Sequence, residues 1–196
     1  MRFFELETLG DLNNGDLLFL DQEPEVMGLD GYCLAAGDPL GDSYPADVKL
    51  QSSEDRPGIQ LSSVLGNNFN YLVVSGEMKD VIAEHCPKAA LECLPFTLLD
   101  PRGRVRSQDY FFVNPLGGID GVDTKASDIK YHRSGAIVSI RKLVLDPEKL
   151  REAPALFRLQ QDLQLYVVNE PLARAFQARG FTNVVLRELA VVAAKP

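Results

Sequence analysis

The chain has 196 residues, of which 45% are hydrophobic and 24% are charged, as is typical of one or two compact soluble domains and not of disordered, collagen-like or coiled-coil chains. Its longest apolar runs are far shorter than the roughly 18 residues that a membrane span needs. The net charge of −8 repels phosphate groups, which makes nucleic acid and acidic lipid poor partners.

The negative charge is concentrated in the first third of the chain. Residues 1–60 contain thirteen acidic residues but only Arg2, Lys49 and Arg56 as bases, whereas the remaining residues contain fifteen acids and seventeen bases. Such an asymmetry steers a protein towards basic partners, although acid-rich loops also serve solubility alone.

The first 60 residues predict short strands separated by turns. Strands are expected at 3–6 and 17–20, on either side of the turn sequence 13–16. Residues 28–45 are rich in Gly and Pro and predict an irregular loop, of the size that commonly carries function. Acidic residues within the first eleven positions interrupt the apolar segment that a signal peptide requires, so we expect a cytoplasmic protein.

Two segments that lie 94 residues apart share one pattern. Residues 73–78 align with 167–172, and in both an apolar strand ends at a potential N-cap, Ser75 or Asn169, before an amphipathic helix. Helices are predicted near 76–86 and 170–179. Their apolar stripes consist of Met78, Val81 and Ile82 in the first helix, and of Leu172, Ala175 and Phe176 in the second. By duplication or by convergence, the pattern indicates two strand–helix–strand halves.

Mostly strand is predicted between the two halves. The candidate strands are 110–113, 129–131 and 137–145, and the sequence at 146–149 is typical of the start of a short helix. Runs of strands with few helices predict an α+β fold with a mixed, largely antiparallel sheet.

The residues that could carry catalysis do not form a recognisable site. His85 and Cys86 are neighbours on a predicted helix, where adjacent side chains face different directions. Nothing near His132 supplies the third group of a catalytic triad. Cys33, Cys86 and Cys93 contain no C-x-x-C pair and, even with the histidines, lack the spacing of a zinc site. We expect neither a disulfide framework nor a metal or other cofactor.

Three further groups carry weaker signals. Asp120 and Asp123 could bind magnesium or act as general acid and base, but carboxylates in a glycine-flanked turn more often accept backbone hydrogen bonds. Residues 117–121 lack the glycine order and the following helix of a phosphate-binding loop. The three arginines of 102–106 alternate, as on one face of a solvent-exposed hairpin tip.

Six short motifs follow one another along the later part of the chain. They are YFFVN at 110–114, IDGVD at 119–123, KLVLD at 142–146, LFRL at 156–159, VV at 167–168 and GFTNV at 180–184. Their order and spacing resemble those of bacterial immunity-protein family eleven, formerly a domain of unknown function. The resemblance covers residues 71–189 well and the first 70 residues loosely.

The resemblance implies a cytoplasmic protein that binds a cognate toxin of a polymorphic toxin system, neutralises it and so protects the producing cell. It implies no catalytic residue. Residues 1–70 would form an acidic strand-and-loop region and 71–196 the immunity-family core, together one compact unit. Because the first third is acidic, we expect a basic toxin. The candidate toxin-binding residues are Asp38, Asp42, Asp47, Asp120 and Asp123.

Two other classes of function are open at this point. One is a metal-dependent enzyme that uses the carboxylate pair Asp120 and Asp123, and the other is a small-molecule-binding domain between the two halves. A neighbouring toxin gene would favour inhibition, whereas a metabolic operon would favour the enzyme. The oligomeric state is not determined by the sequence.

Overall fold

The structure is a computed structural model that describes residues 1–87 and 90–192. Its helices are α1 (Gly31–Ala36), α2 (Gly76–His85) and α3 (Glu170–Ala178), with 3-10 helices at Glu25–Asp30 and Gly41–Ser43. Its strands are β1 (Phe3–Leu6), β2 (Phe19–Leu20), β3 (Lys49–Gln51), β4 (Gly66–Asn67), β5 (Val73–Ser75), β6 (Leu91–Leu99), β7 (Val105–Pro115), β8 (Asp128–Tyr131), β9 (Ile137–Lys142), β10 (Val144–Leu145), β11 (Leu156–Leu159), β12 (Asp162–Asn169), β13 (Leu186–Glu188) and β14 (Ala190–Val191).

Most of the strands lie in two four-stranded sheets. The first sheet has the order β11-β12-β1-β13 and is antiparallel throughout. The second sheet has the order β3-β6-β7-β5 and is antiparallel except between β3 and β6. The other pairings are β2 with β4, β8 with β9 and β10 with β14. The predicted α+β class, with mostly antiparallel sheet and few helices, is confirmed.

Each of the two longer helices connects strands that flank a third strand. β5 and β6, which precede and follow α2, lie on either side of β7, and β12 and β13, which precede and follow α3, lie on either side of β1. Because both flanking pairs run antiparallel to the strand between them, each half is a split β–α–β unit. The two predicted strand–helix–strand halves are therefore present.

The two halves meet at positions that are 94 residues apart. The Leu72 N–H donates to the Tyr166 hydroxyl at 3.2 Å, and the Asn70 side-chain amide donates to the Gln164 carbonyl at 2.7 Å. α2 and α3 also pack against each other. Residues that are equivalent in the two halves thus contact one another across their junction.

The ends of the helices follow the predicted chemistry in part. Asn169 caps α3 by accepting a hydrogen bond from the Leu172 N–H at 3.0 Å, and Gly180 follows the helix with a φ of +66°. Ser75 occupies the N-cap position of α2, as predicted, but its side chain makes no capping hydrogen bond. Glu77 in the first turn instead provides a negative charge at the positive end of the helix dipole.

Three local predictions differ from the structure. The segment 28–45, predicted to be irregular, contains α1, because burial of its apolar residues outweighs a glycine-rich sequence. The short helix predicted to start at 146–149 is a turn. The Leu150 N–H donates to the Asp146 carbonyl as in an α-helix, but the next hydrogen bonds join residues three positions apart, as in β-turns. The predicted strand 137–145 is divided into β9 and β10.

The two predicted apolar stripes are buried in one hydrophobic cluster, to which both sheets and both longer helices contribute. Met78, Ile82 and Leu172 have no exposed surface, and Phe176 is 1% exposed. Ala175 is only partly buried. A second cluster lies between residues 18–50 and the second sheet, and a third lies on the other side of the first sheet.

Arg158 on β11 is buried at the junction of three parts of the fold. No described carboxylate pairs with its guanidinium, which instead stacks on the Tyr166 ring with 4.1 Å between the Arg158 Cζ and the ring centroid. Burial lowers the pKa of Arg158 from its usual value, while the Tyr166 hydroxyl acts in the opposite direction. The guanidinium donates to the carbonyls of Leu34 (2.6 Å), Ala35 (2.8 Å), Pro115 (3.1 Å) and Leu163, and to the Tyr166 hydroxyl (2.7 Å).

Gly37, directly after α1, lies against this guanidinium. Its φ of +76° is in the left-handed region, and a Cβ on it would lie 2.9 Å from both the Arg158 Cδ and the Pro115 carbonyl oxygen. The Gly37 carbonyl accepts from the Gly117 N–H at 2.8 Å. Arg158 and Gly37 together therefore fix the point at which the chain leaves α1.

Truncation of the buried stripes should be costly. We expect Ile82→Ala and Phe176→Ala each to lower the free energy of unfolding by about 2–5 kcal/mol, because both leave cavities in a closed cluster. Denaturant unfolding measures this, with Val105→Ala as the control, since Val105 is 63% exposed and should lose less than about 0.5 kcal/mol. Losses below about 0.5 kcal/mol at both core sites would contradict burial of the stripes.

Replacement of the buried Arg158 should destabilise the fold much more than replacement of an exposed arginine, although both changes remove one positive charge. Arg158→Met leaves four carbonyls without this donor and removes one of the two donors to the Tyr166 hydroxyl, so we expect a loss of about 3 kcal/mol or more. Arg151→Met removes an exposed guanidinium and should cost less than about 0.5 kcal/mol in the same unfolding experiment. Equal stability of the two variants would contradict the role assigned to Arg158.

The first residue of α3 should make stability dependent on acid pH. The hydrogen bond from Arg2 holds the pKa of Glu170 at about 2, below the usual 4.5. A lowered folded-state pKa stabilises the protein above the unfolded pKa, and this stabilisation is lost as the pH falls through the folded value. We expect Glu170→Gln to lower the Tm above about pH 4.5 and to match the parent near pH 2. Thermal melts across this range would contradict the interaction if the difference did not change with pH.

Candidate functional site

The acidic segment 38–51, here called the acidic strip, lies along the outer edge of β6. The backbone N–H groups of residues 40–41 donate to the Glu92 carboxylate at 3.0 and 2.8 Å, and the Tyr44 hydroxyl donates to the Pro95 carbonyl at 2.7 Å. Further along, β3 pairs with the end of β6. The strip is thus attached to β6 at points between Glu92 and Leu99, which span about 23 Å at roughly 3.3 Å per strand residue.

Three of the predicted toxin-binding residues belong to this strip. Asp38, Asp42 and Asp47 are all exposed to solvent. The Asp38 carbonyl accepts from the Asn114 side chain at 2.9 Å, and the Asp47 carboxylate pairs with Lys49 at 2.9 Å. The structure therefore presents the three carboxylates from one anchored segment.

A groove next to the strip extends its negative surface. This acidic groove has a volume of about 540 Å³ and includes the carboxylates of Glu23, Glu25 and Asp47. Val26, which is 56% exposed, adds an apolar side chain. The other lining residues are Gln22, Lys49, Gln51 and Leu99. Such a groove can accept the long side chains of Lys and Arg, whose stems are apolar and whose heads are cationic.

The other two predicted residues lie elsewhere, in the loop that bridges to β10 and β11. The Asp120 carboxylate accepts from Lys149 at 2.9 Å and Gln161 at 2.7 Å, and the Lys149 hydrogen bond lowers the pKa of Asp120. Asp123 accepts backbone N–H bonds from residues 125–126, which lower its pKa. Both carboxylates thus have partners within the chain, and the structure does not bring them onto the acidic strip.

The histidines and cysteines considered as chemical groups lie apart. His85 Nδ1 is 2.8 Å from the Val81 carbonyl of its own helix, and His132 Nδ1 is 3.0 Å from the Ser134 hydroxyl. Within residues 1–87 and 90–192, no three His, Cys, Asp or Glu side chains are grouped as metal ligands. In the same part of the chain, no helix is long and apolar enough to cross a membrane.

Arg102 and Arg104 lie in the turn between β6 and β7, as predicted for a hairpin tip, and Arg106 lies at the start of β7. Arg104 pairs with Asp100 at 2.6 Å, and Arg106 donates to the Ile59 carbonyl at 2.9 Å. Two of the three guanidinium groups are therefore already engaged.

Glu23, Glu25 and Val26, which line the acidic groove, were not predicted from the sequence as site residues. A signal for them was available, because residues 3–48 contain eleven acids and no Lys or Arg. What the sequence could not show is that this segment folds back beside Asp47, which is separated from Glu25 by α1.

A protein-family match covers most of the chain. No curated protein matches the chain. The family model described as "Immunity protein family (Imm11)" matches residues 8–191, a range that includes the acidic strip, the acidic groove, the second sheet and every strand of the first sheet except β1. The resemblance seen in the order of the sequence motifs is confirmed. The chain belongs to the immunity protein family Imm11.

Proposed function

We propose that this protein binds a cognate secreted toxin inside the producing cell and neutralises it by occupying its surface, without catalysis. The observation that carries the proposal is the acidic strip of an immunity-family chain, from which Asp38, Asp42 and Asp47 are presented to solvent next to the acidic groove. The partner that fits this surface is a basic face of the toxin.

The anchoring of the strip favours tight binding. Because Glu92 and Pro95 of β6 hold the strip through hydrogen bonds, its backbone loses little conformational freedom when a partner docks. The exposed carboxylates raise the association rate by attracting a basic partner. Val26 offers an apolar surface from which water is displaced when the partner binds.

The two regions of the chain have different roles in toxin binding. The acidic residues 1–70 supply the main contact surface, and residues 71–196 supply the scaffold that holds it. Asp120 and Asp123 are proposed as additional contacts. Since each already accepts hydrogen bonds within the chain, a toxin would use their remaining lone pairs.

Neutralisation of the acidic strip should weaken toxin binding while leaving the fold intact. We expect the triple variant Asp38→Asn, Asp42→Asn, Asp47→Asn to associate with the toxin about tenfold more slowly at low salt, and with a flatter salt dependence. Its Tm should be nearly unchanged, because the three side chains are exposed. Stopped-flow association with the cognate toxin measures the rate, and co-expression with that toxin measures growth rescue.

A matched control removes the same charge elsewhere. Glu84→Gln, Glu148→Gln, Glu152→Gln changes three exposed acids outside the strip and should associate like the parent, apart from a small effect of net charge. Asp120→Asn, Asp123→Asn tests the additional contacts separately. An unaltered association rate of the strip variant would reject the strip as the interface. Protection at far less than one copy per toxin would reject neutralisation by contact.

A further inference from the structure

The strands β8 and β9 form a basic hairpin in an otherwise acidic protein. Residues 125–142 carry five lysines and arginines but only one carboxylate, that of Asp128. No carboxylate in the described part of the chain forms an ion pair with any of the five bases, which are Lys125, Lys130, Arg133, Arg141 and Lys142. The hairpin is therefore a positive surface whose charge is not balanced within the chain.

Most of this basic hairpin, residues 125–142, is exposed, although Ile129 is half-buried against the third hydrophobic cluster. Neither strand contains a buried residue, and Tyr131 and Val138 are 48% and 56% exposed. The hairpin thus presents both apolar and cationic side chains. Protein interfaces combine the same two kinds, with apolar side chains at the centre and polar or charged side chains at the rim.

The pairing of the hairpin favours recognition by side chains over the addition of a strand. Its register shifts between Asp128 and Ile129 and again between Lys130 and Tyr131. Bulges and lysines on an edge both oppose continued strand pairing. A partner should therefore offer carboxylates and a small apolar site instead of a free strand edge.

The same chain carries a surface with these properties. The acidic groove combines the carboxylates of Glu23, Glu25 and Asp47 with the exposed Val26, and its volume of about 540 Å³ can hold side chains of the hairpin. We propose that a second copy of this chain places its basic hairpin on the acidic groove and strip. Since each copy carries both surfaces, a two-fold arrangement forms two identical contacts and closes the assembly as a dimer.

The dimer has a consequence for toxin binding, which rests on the function proposed above. The second copy covers the acidic strip, so that toxin and second copy compete for the same carboxylates. Binding of the toxin then converts the dimer into a complex of one toxin with one copy of the chain.

Sedimentation velocity on the full chain alone tests the dimer independently of any toxin. We expect dimer at about 20 mM salt and monomer at about 500 mM, where the screening length is only a few ångströms. Lys130→Glu, Arg133→Glu should weaken dimerisation about tenfold or more, and Glu23→Lys, Glu25→Lys should do the same. All four side chains are exposed, and a circular dichroism melt checks that each variant is folded.

Mixing the two charge-reversed variants gives the decisive result. Each variant repels itself, but in the mixture both contacts regain opposite charges, so a heterodimer should form at low salt. Glu84→Lys, Glu152→Lys and Arg151→Glu, Arg179→Glu reverse exposed charges elsewhere and should dimerise like the parent. A parent that stays monomeric at low salt overturns the proposal, as does a dimer that neither reversal weakens. Failure of the mixture to associate also overturns it, whereas toxin neutralisation by a monomer would leave the proposed function standing.

Discussion

The contact between a buried guanidinium and the backbone carbonyls around it joins the separate parts of this fold. Arg158 belongs to the first sheet, yet its hydrogen bonds end on α1, on the last residue of β7 and on β12. A charge without a carboxylate partner is tolerated there because several carbonyl dipoles converge on it. Two of them belong to the C-terminal end of α1, where the partial charge of a helix is negative. The acidic N-terminal region is thereby fastened to a sheet that is remote in sequence.

The position of the acidic strip follows from this contact. The guanidinium leaves no space for a side chain at residue 37, so the strip starts from a fixed glycine. The Asn114 side chain then donates a hydrogen bond to the carbonyl of residue 38, and the Glu92 carboxylate accepts hydrogen bonds from the N–H groups of residues 40–41. From there the strip continues along β6 into β3. Fifteen or so residues without long regular structure are thus held in one place by single hydrogen bonds from the scaffold, which each contribute about 1 kcal/mol. Rigidity of a loop is obtained here from its neighbours, not from its own secondary structure.

The sequence predicted those features that depend on local patterns. The apolar stripes, the Asn169 cap, Gly180 and the strands of the two halves are readable because each depends on residues within one or two turns of one another. α1 was missed because tertiary burial, not propensity, stabilises six residues that begin with glycine. For the site, the aspartates of the strip were predicted from the acidic charge of the first third and from their place in or beside the glycine-rich loop. The groove was not predicted, because it arises from residues about twenty positions apart that long-range contacts bring together.

The place of β1 between β12 and β13 has a consequence for folding. Phe3 pairs with Asn169 and Glu5 with Arg187, so β1 has its partners in strands that follow it by more than 160 residues. Contacts between residues so far apart in sequence slow folding, because the chain loses the entropy of loop closure before the contacts can stabilise it. The second sheet, whose strands all lie within residues 49–115, can form during synthesis. The first sheet forms only after β12 and β13 have been synthesised, and until then β1 has no pairing partner within that sheet.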